Sequence, residues 1–78
     1  MARSKKLLST KAFECIRWFF ESMGYSIEMI KPLGNGRAYV SAYRKENGRV
    51  VQKVFDVEYR SGRSPSVIIR DWWIARVL

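Results

Sequence analysis

The sequence predicts a two-layer α+β fold in the order α-β-β-β-α, a three-stranded antiparallel meander with both helices packed on one face. Three observations carry that expectation. Apolar residues recur at helical steps from Ala12 to Met23. An Asn47-Gly48 dipeptide separates two β-rich runs. Ser64-Pro65 precedes a segment in which Ile68, Ile69, Trp72, Ala75 and Arg76 again fall at helical spacing.

Residues 1–8 read as a basic arm ahead of one domain over 9–78. Arg3, Lys5, Lys6 and Lys11 have no acidic neighbour before Glu14, a pattern suited to following a phosphate backbone. Ser9 and Thr10 are N-cap types and Gly24 is a good stop, so the first helix is expected to run from there to Met23. Ala12, Cys15, Ile16, Phe19 and Met23 make its apolar stripe, widened by Phe13 and Phe20. Trp18 falls on the charged side with Lys11, Glu14 and Glu21.

Tyr25 to Lys31 alternates as a strand, with Tyr25, Ile27 and Met29 on one face and Ser26, Glu28 and Ile30 on the other. Pro32 is expected to end it, and Gly34-Asn35-Gly36 reads as a flexible turn. Asn47-Gly48 is the signature of a two-residue type I′ hairpin, which fixes the register of the next two strands. Glu46 should pair with Arg49, Tyr43 with Gln52, Ser41 with Val54 and Tyr39 with Asp56. The other face pairs Ala42 with Lys53, Val40 with Phe55 and Ala38 with Val57, and should pack on the helix. Ser64 as N-cap with Pro65 at the first helical position predicts a C-terminal helix, although Val67-Ile68-Ile69 is β-branched and also suits a short strand.

A chain of 78 residues excludes a doubly wound sheet, a barrel enzyme and a two-domain clamp. A hydrophobic fraction of 47% favours a folded core over disorder. The single Cys15 cannot close a disulfide within the chain, and it lies on the apolar stripe, where a small core residue is expected. No apolar run approaches the ~20 residues that span a bilayer, and Leu7-Leu8 is too short for a signal peptide. The expected setting is cytoplasmic, or nuclear in a eukaryote.

With no His in the chain, imidazole-based catalysis and the common zinc sites have no ligands, so no enzyme activity, cofactor or metal is expected. Asp56, Glu58 and Arg60, taken with Glu14, faintly resemble the acidic core of restriction-type nucleases, which implies at most a degenerate nuclease-like domain. Arg60 stands where such a site has Lys and cannot act as a base.

The net charge of +8 is the better clue. It points to nucleic acid, duplex DNA slightly ahead of RNA. Arg37, Arg44, Lys45, Arg49, Arg63 and Arg70 are the expected phosphate contacts, and Tyr39, Tyr43 and Gln52 the candidates for base or sugar. The N-terminus of the last helix, around Ser64 and Ser66, would add backbone N–H groups that favour an anion. The competing expectation is a protein-interaction module, such as a phage or mobile-element regulator docking on a host protein through Trp18, Trp72 and Trp73. Homodimerisation fits either reading.

In element order and size the chain resembles the double-stranded RNA-binding domain. That resemblance implies nucleic-acid contacts from the face bearing Glu14 and Trp18, the loop Pro32 to Arg37, and Arg63 to Ser66. Residues 37–78 resemble the three-stranded arm-type domains of phage integrases and related plant factors, which lay a sheet in the major groove. In that case Arg37, Tyr39, Tyr43, Lys45 and Gln52 would face the groove.

Overall fold

The computed structural model describes residues 8–78. Arg3, Lys5 and Lys6 of the expected basic arm lie outside the described residues. Helix α1 spans Thr10–Glu21. Its N-cap is Ser9, extended at φ −69° and ψ 162°, whose Oγ accepts the Ala12 N–H at 3.1 Å. The chain reverses at Gly24, where φ is +87°.

Four strands follow: β1 (Ser26–Gly34), β2 (Arg37–Glu46), β3 (Arg49–Arg60) and β4 (Ser66–Val77). They form one antiparallel sheet in the order β1-β2-β3-β4. The expected three-stranded meander with a C-terminal helix is thereby overturned, because the segment after Pro65 is a strand. Its β-branched start pairs with the end of β3, Val67 opposite Tyr59 and Ile69 opposite Val57. Two bulges, which leave Arg70 and Ala75 without a cross-strand partner, explain the misleading periodicity. Each adds a residue, so the side chains facing α1 fall at Val67, Ile69, Trp72, Ile74 and Val77. The three-residue steps from Ile69 to Trp72 and from Ile74 to Val77 imitate a helix.

Both helix-based expectations at this end fall with it. There is no helix N-terminus at Ser64 and Ser66 to attract an anion, and neither resemblance retains the helix it needs.

The β2–β3 register is the one the Asn47-Gly48 turn dictates, from Glu46 opposite Arg49 to Arg37 opposite Glu58. Asn47 and Gly48 take φ of 53° and 79°, the positive values a type I′ turn requires. Asn35 and Gly36 take 54° and 77°, so the β1–β2 connection is a second tight turn of the same kind. β1 does not stop at Pro32, which pairs with Ala38. As an edge strand, β1 can spare that N–H. A bulge at Glu28 also corrects the expected faces of β1. Ile27 and Ile30 lie opposite Ala42 and Val40, while Met29 sits opposite Ser41 on the other face.

The core is the sandwich of α1 on the middle of the sheet. Ile16 and Phe20 cluster with Tyr25, Ala38, Val40, Ala42, Phe55 and Val57, and Ala12 is buried as well. The Phe20 ring lies 4.7 Å from Phe55 and 5.9 Å from Tyr25. A helix of 12 residues is roughly 18 Å long, against roughly 40 Å for the 12 residues of β3. The helix therefore covers only part of the sheet, and the end near Asn47-Gly48 lies beyond it, although Val51 and Lys53 are buried there.

Candidate nucleic-acid interface

The helix-free face of the sheet carries the residues that alternate with the core. β2 places Arg37, Tyr39, Ser41, Tyr43 and Lys45 there, and β3 contributes Gln52, Val54, Asp56 and Glu58. Arg76, Trp73, Asp71 and Ile68 of β4 lie opposite Gln52, Val54, Asp56 and Glu58, so they share this face. Lys31 of β1 sits beside Tyr39. Two exposed aromatics stand near its middle: the Tyr39 and Trp73 rings meet edge to face at 6.0 Å, with residue exposures of 38% and 44%.

Polar groups knit the rest of the surface together. Glu28 Oε1 accepts from Ser41 Oγ at 2.8 Å and from Gln52 Nε2 at 2.9 Å. Gln52 Oε1 accepts from Arg76 Nε at 2.8 Å. Gln52, expected to contact base or sugar, is thus engaged by the sheet itself. Ser41 is buried, and Tyr43 is half-buried.

Several expected phosphate contacts have carboxylate partners. Arg37 Nη2 donates to both Asp56 oxygens, at 3.0 and 2.9 Å. Arg70 Nη1 donates to Glu58 Oε1 at 2.9 Å, and Arg60 Nε reaches Glu58 Oε2 at 3.4 Å. Burial alone would raise the Glu58 pKa, but Arg60 and Arg70 outweigh it and hold the carboxyl below its usual value. Lys31, Lys45, Arg49 and Arg63 have no ion-pair partner among the described residues. Arg63 lies apart, exposed in the β3–β4 loop, and Arg49, opposite Glu46, belongs to the helix-side set rather than to this face.

Arg44 is not on this face. It lies on the helix side, its guanidinium 4.3 Å from the centre of the Tyr25 ring and 2.7 Å from Glu46 Oε2. The same carboxylate accepts from the buried Lys53 Nζ at 2.8 Å, and the Tyr25 hydroxyl lies 3.3 Å from that nitrogen. The hydrogen bond to Glu46 holds Lys53 above the ordinary lysine value despite its burial. Lys53 also sits 5.0 Å from the Trp72 ring. Sequence reasoning placed Lys53 on the apolar face but assigned it no partner. The signal was available, since Ala42, its cross-strand neighbour, is too small to shield an ammonium group.

The three tryptophans do not share one surface. Trp73 is on the helix-free face, Trp72 points to the helix side, and Trp18 stands 72% exposed on the outer flank of α1. The acidic set does not converge either. Asp56 and Glu58 lie on the helix-free face, whereas Glu14 is on α1, which packs against the other. Among the described residues no group of three or more His, Cys, Asp or Glu could hold a metal ion, and no helix is long and apolar enough to cross a membrane. No protein-family model, curated protein or solved structure matches this chain.

Proposed function

We propose that this protein binds single-stranded nucleic acid across the helix-free face of its sheet. The observation that carries the reading is the exposed Tyr39–Trp73 pair on a sheet face that also bears Lys31, Lys45 and Arg76. Aromatic faces stack on unpaired bases, and surrounding cations follow the backbone. Width separates this reading from insertion into a duplex. Four strands place their outer backbones roughly 14 Å apart before side chains are added, wider than the ~12 Å major groove. The net charge of +8 supplies the long-range attraction, and a cytoplasmic or nuclear setting suits the partner.

Fluorescence anisotropy with a labelled single strand, a DNA duplex and an RNA duplex, at low and moderate salt, tests the proposal. Single strands should bind tightest, with a salt slope of about −0.7 per phosphate contacted. Tyr39→Ala and Trp73→Ala should each weaken binding by roughly 5- to 100-fold, the worth of one stacked base. Absence of binding to all three probes at low salt, or a preference for duplex, overturns it.

A further inference from the structure

We propose that a second copy of this chain docks along the free edge of β4, antiparallel to it, joining the two sheets into one. β4 is an edge strand of 12 residues whose far side has no strand partner among the described residues. Such an edge presents unpaired main-chain donors and acceptors. Its second half is also bare on the helix side, beyond the reach of α1: Trp72 is 51%, Ile74 52% and Val77 48% exposed. Its first half borders a mainly apolar groove of about 630 Å³ between α1 and the strand, lined by Cys15, Trp18, Phe19, Pro65 and Val67.

These two features complement each other under a two-fold axis. In an antiparallel β4 pair the start of one strand lies beside the end of the other. Each groove then receives the partner's Trp72 and Ile74, and each exposed Trp18 gains an apolar neighbour. One register keeps helix-side residues opposite helix-side residues from Val67 to Ile74. It sets Ile69 against the partner's Trp72, Val67 against the partner's Ile74, and Ile68 against the partner's Trp73. The bulge at Arg70 makes this register possible, because it leaves Arg70 and Asp71 on the same face.

Charge selects the same register. Arg70, which also donates to Glu58 of its own sheet, faces the partner's Asp71, whose Oδ1 also accepts the N–H of its own Trp72, and the same holds in reverse, so two opposite-charge pairs are added at the symmetry axis. Charged residues on an edge ordinarily repel a second strand. Here their order along the chain makes the edge complementary to itself, which is what an isologous interface requires. Trp18, Trp72 and Ile74, at 72%, 51% and 52% exposure, are the apolar side chains that this pairing covers.

Sedimentation equilibrium of the full chain without nucleic acid, over a wide concentration range, reads the dimer directly and leaves the nucleic-acid proposal untouched. The unaltered chain should be dimeric at high concentration. Arg70→Asp and Asp71→Arg each set like charges face to face and should weaken the dimer on the order of a hundredfold. Mixing the two variants restores both pairs and should restore a mixed dimer. Ile74→Lys, at a half-exposed position, should also give a folded monomer, which keeps the test decisive if a charge variant misfolds. A wild-type monomer at every concentration overturns the proposal, as does a dimer indifferent to all three substitutions or folded charge variants that stay monomeric when mixed.

Discussion

Replacing Asp56 by Asn should tighten nucleic-acid binding. The Asp56 carboxylate accepts two hydrogen bonds from Arg37 Nη2, and it lies beside Tyr39 on the proposed platform. Neutralising it removes one negative charge and frees one guanidinium for a phosphate. One added contact steepens the salt slope by about 0.7 on a single strand, a gain of roughly 5-fold at 0.1 M salt that fades toward 1 M. The fold should tolerate the change. Asp56 also lies directly opposite Asp71 across β3 and β4, an unfavourable like-charge pair that the substitution relieves. That relief offsets the lost bond to Arg37, so stability should stay within about 1 kcal/mol of the parent. Anisotropy titrations of Asp56→Asn and parent at several salt concentrations, with thermal unfolding as the control, measure both quantities. A folded variant that binds more weakly, or with an unchanged salt slope, refutes the assignment of this face.

Three further outcomes are expected. Phe20→Ala should cost about 3–5 kcal/mol in urea unfolding, since the ring is fully buried between Phe55, Tyr25 and Phe19, a loss comparable to much of the stability of so small a domain. Gly36→Ala should destabilise more than Gly48→Ala: both positions need a positive φ, but only at Gly36 would the new Cβ meet the Tyr59 carbonyl oxygen, at 2.8 Å. Hydrogen bonds from Lys53, then Arg44, hold the Glu46 carboxyl below its ordinary 4.5, so its contribution is present above that value and lost as pH falls through the lowered one. Glu46→Gln should accordingly flatten the loss of stability between neutral and acid pH, read from urea midpoints.

How much of this was legible depended on how local the signal was. Asn47-Gly48 fixed ten cross-strand pairs because a two-residue turn leaves no slack in register. The same dipeptide at Asn35-Gly36 carried the same information, but Pro32 drew attention to a strand end, a rule that edge strands escape. The segment after Pro65 imitates a helix because bulges stretch the period of β4 from two to three, and Ser64-Pro65 has the form of a helix start. Nothing local foretold the bulges, which belong to the pairing with β3. The candidate site was legible in position and illegible in charge. Tyr39, Tyr43 and Lys45 fall on the expected face, yet the pairing of Arg37 with Asp56 and of Arg70 with Glu58 depends on strands brought together only by folding. Trp73 is expected as a protein anchor because Trp is enriched among interface hot spots, which says nothing of the face it occupies. Once the strand is recognised, its place beside Tyr39 follows.

The succession of hairpins also bears on how the molecule assembles. Every strand neighbours the next one in the chain, so no pairing requires a distant segment to arrive first. Zippering can begin at the bend between β2 and β3 and spread outward in both directions. The apolar stripe of α1 finds its seat only after those two strands lie side by side, which makes its docking a late event. Pulsed hydrogen exchange during refolding should protect the amides of Val40 and Phe55 before those of Ile16 and Phe20, and the reverse order would place the nucleus in the helix.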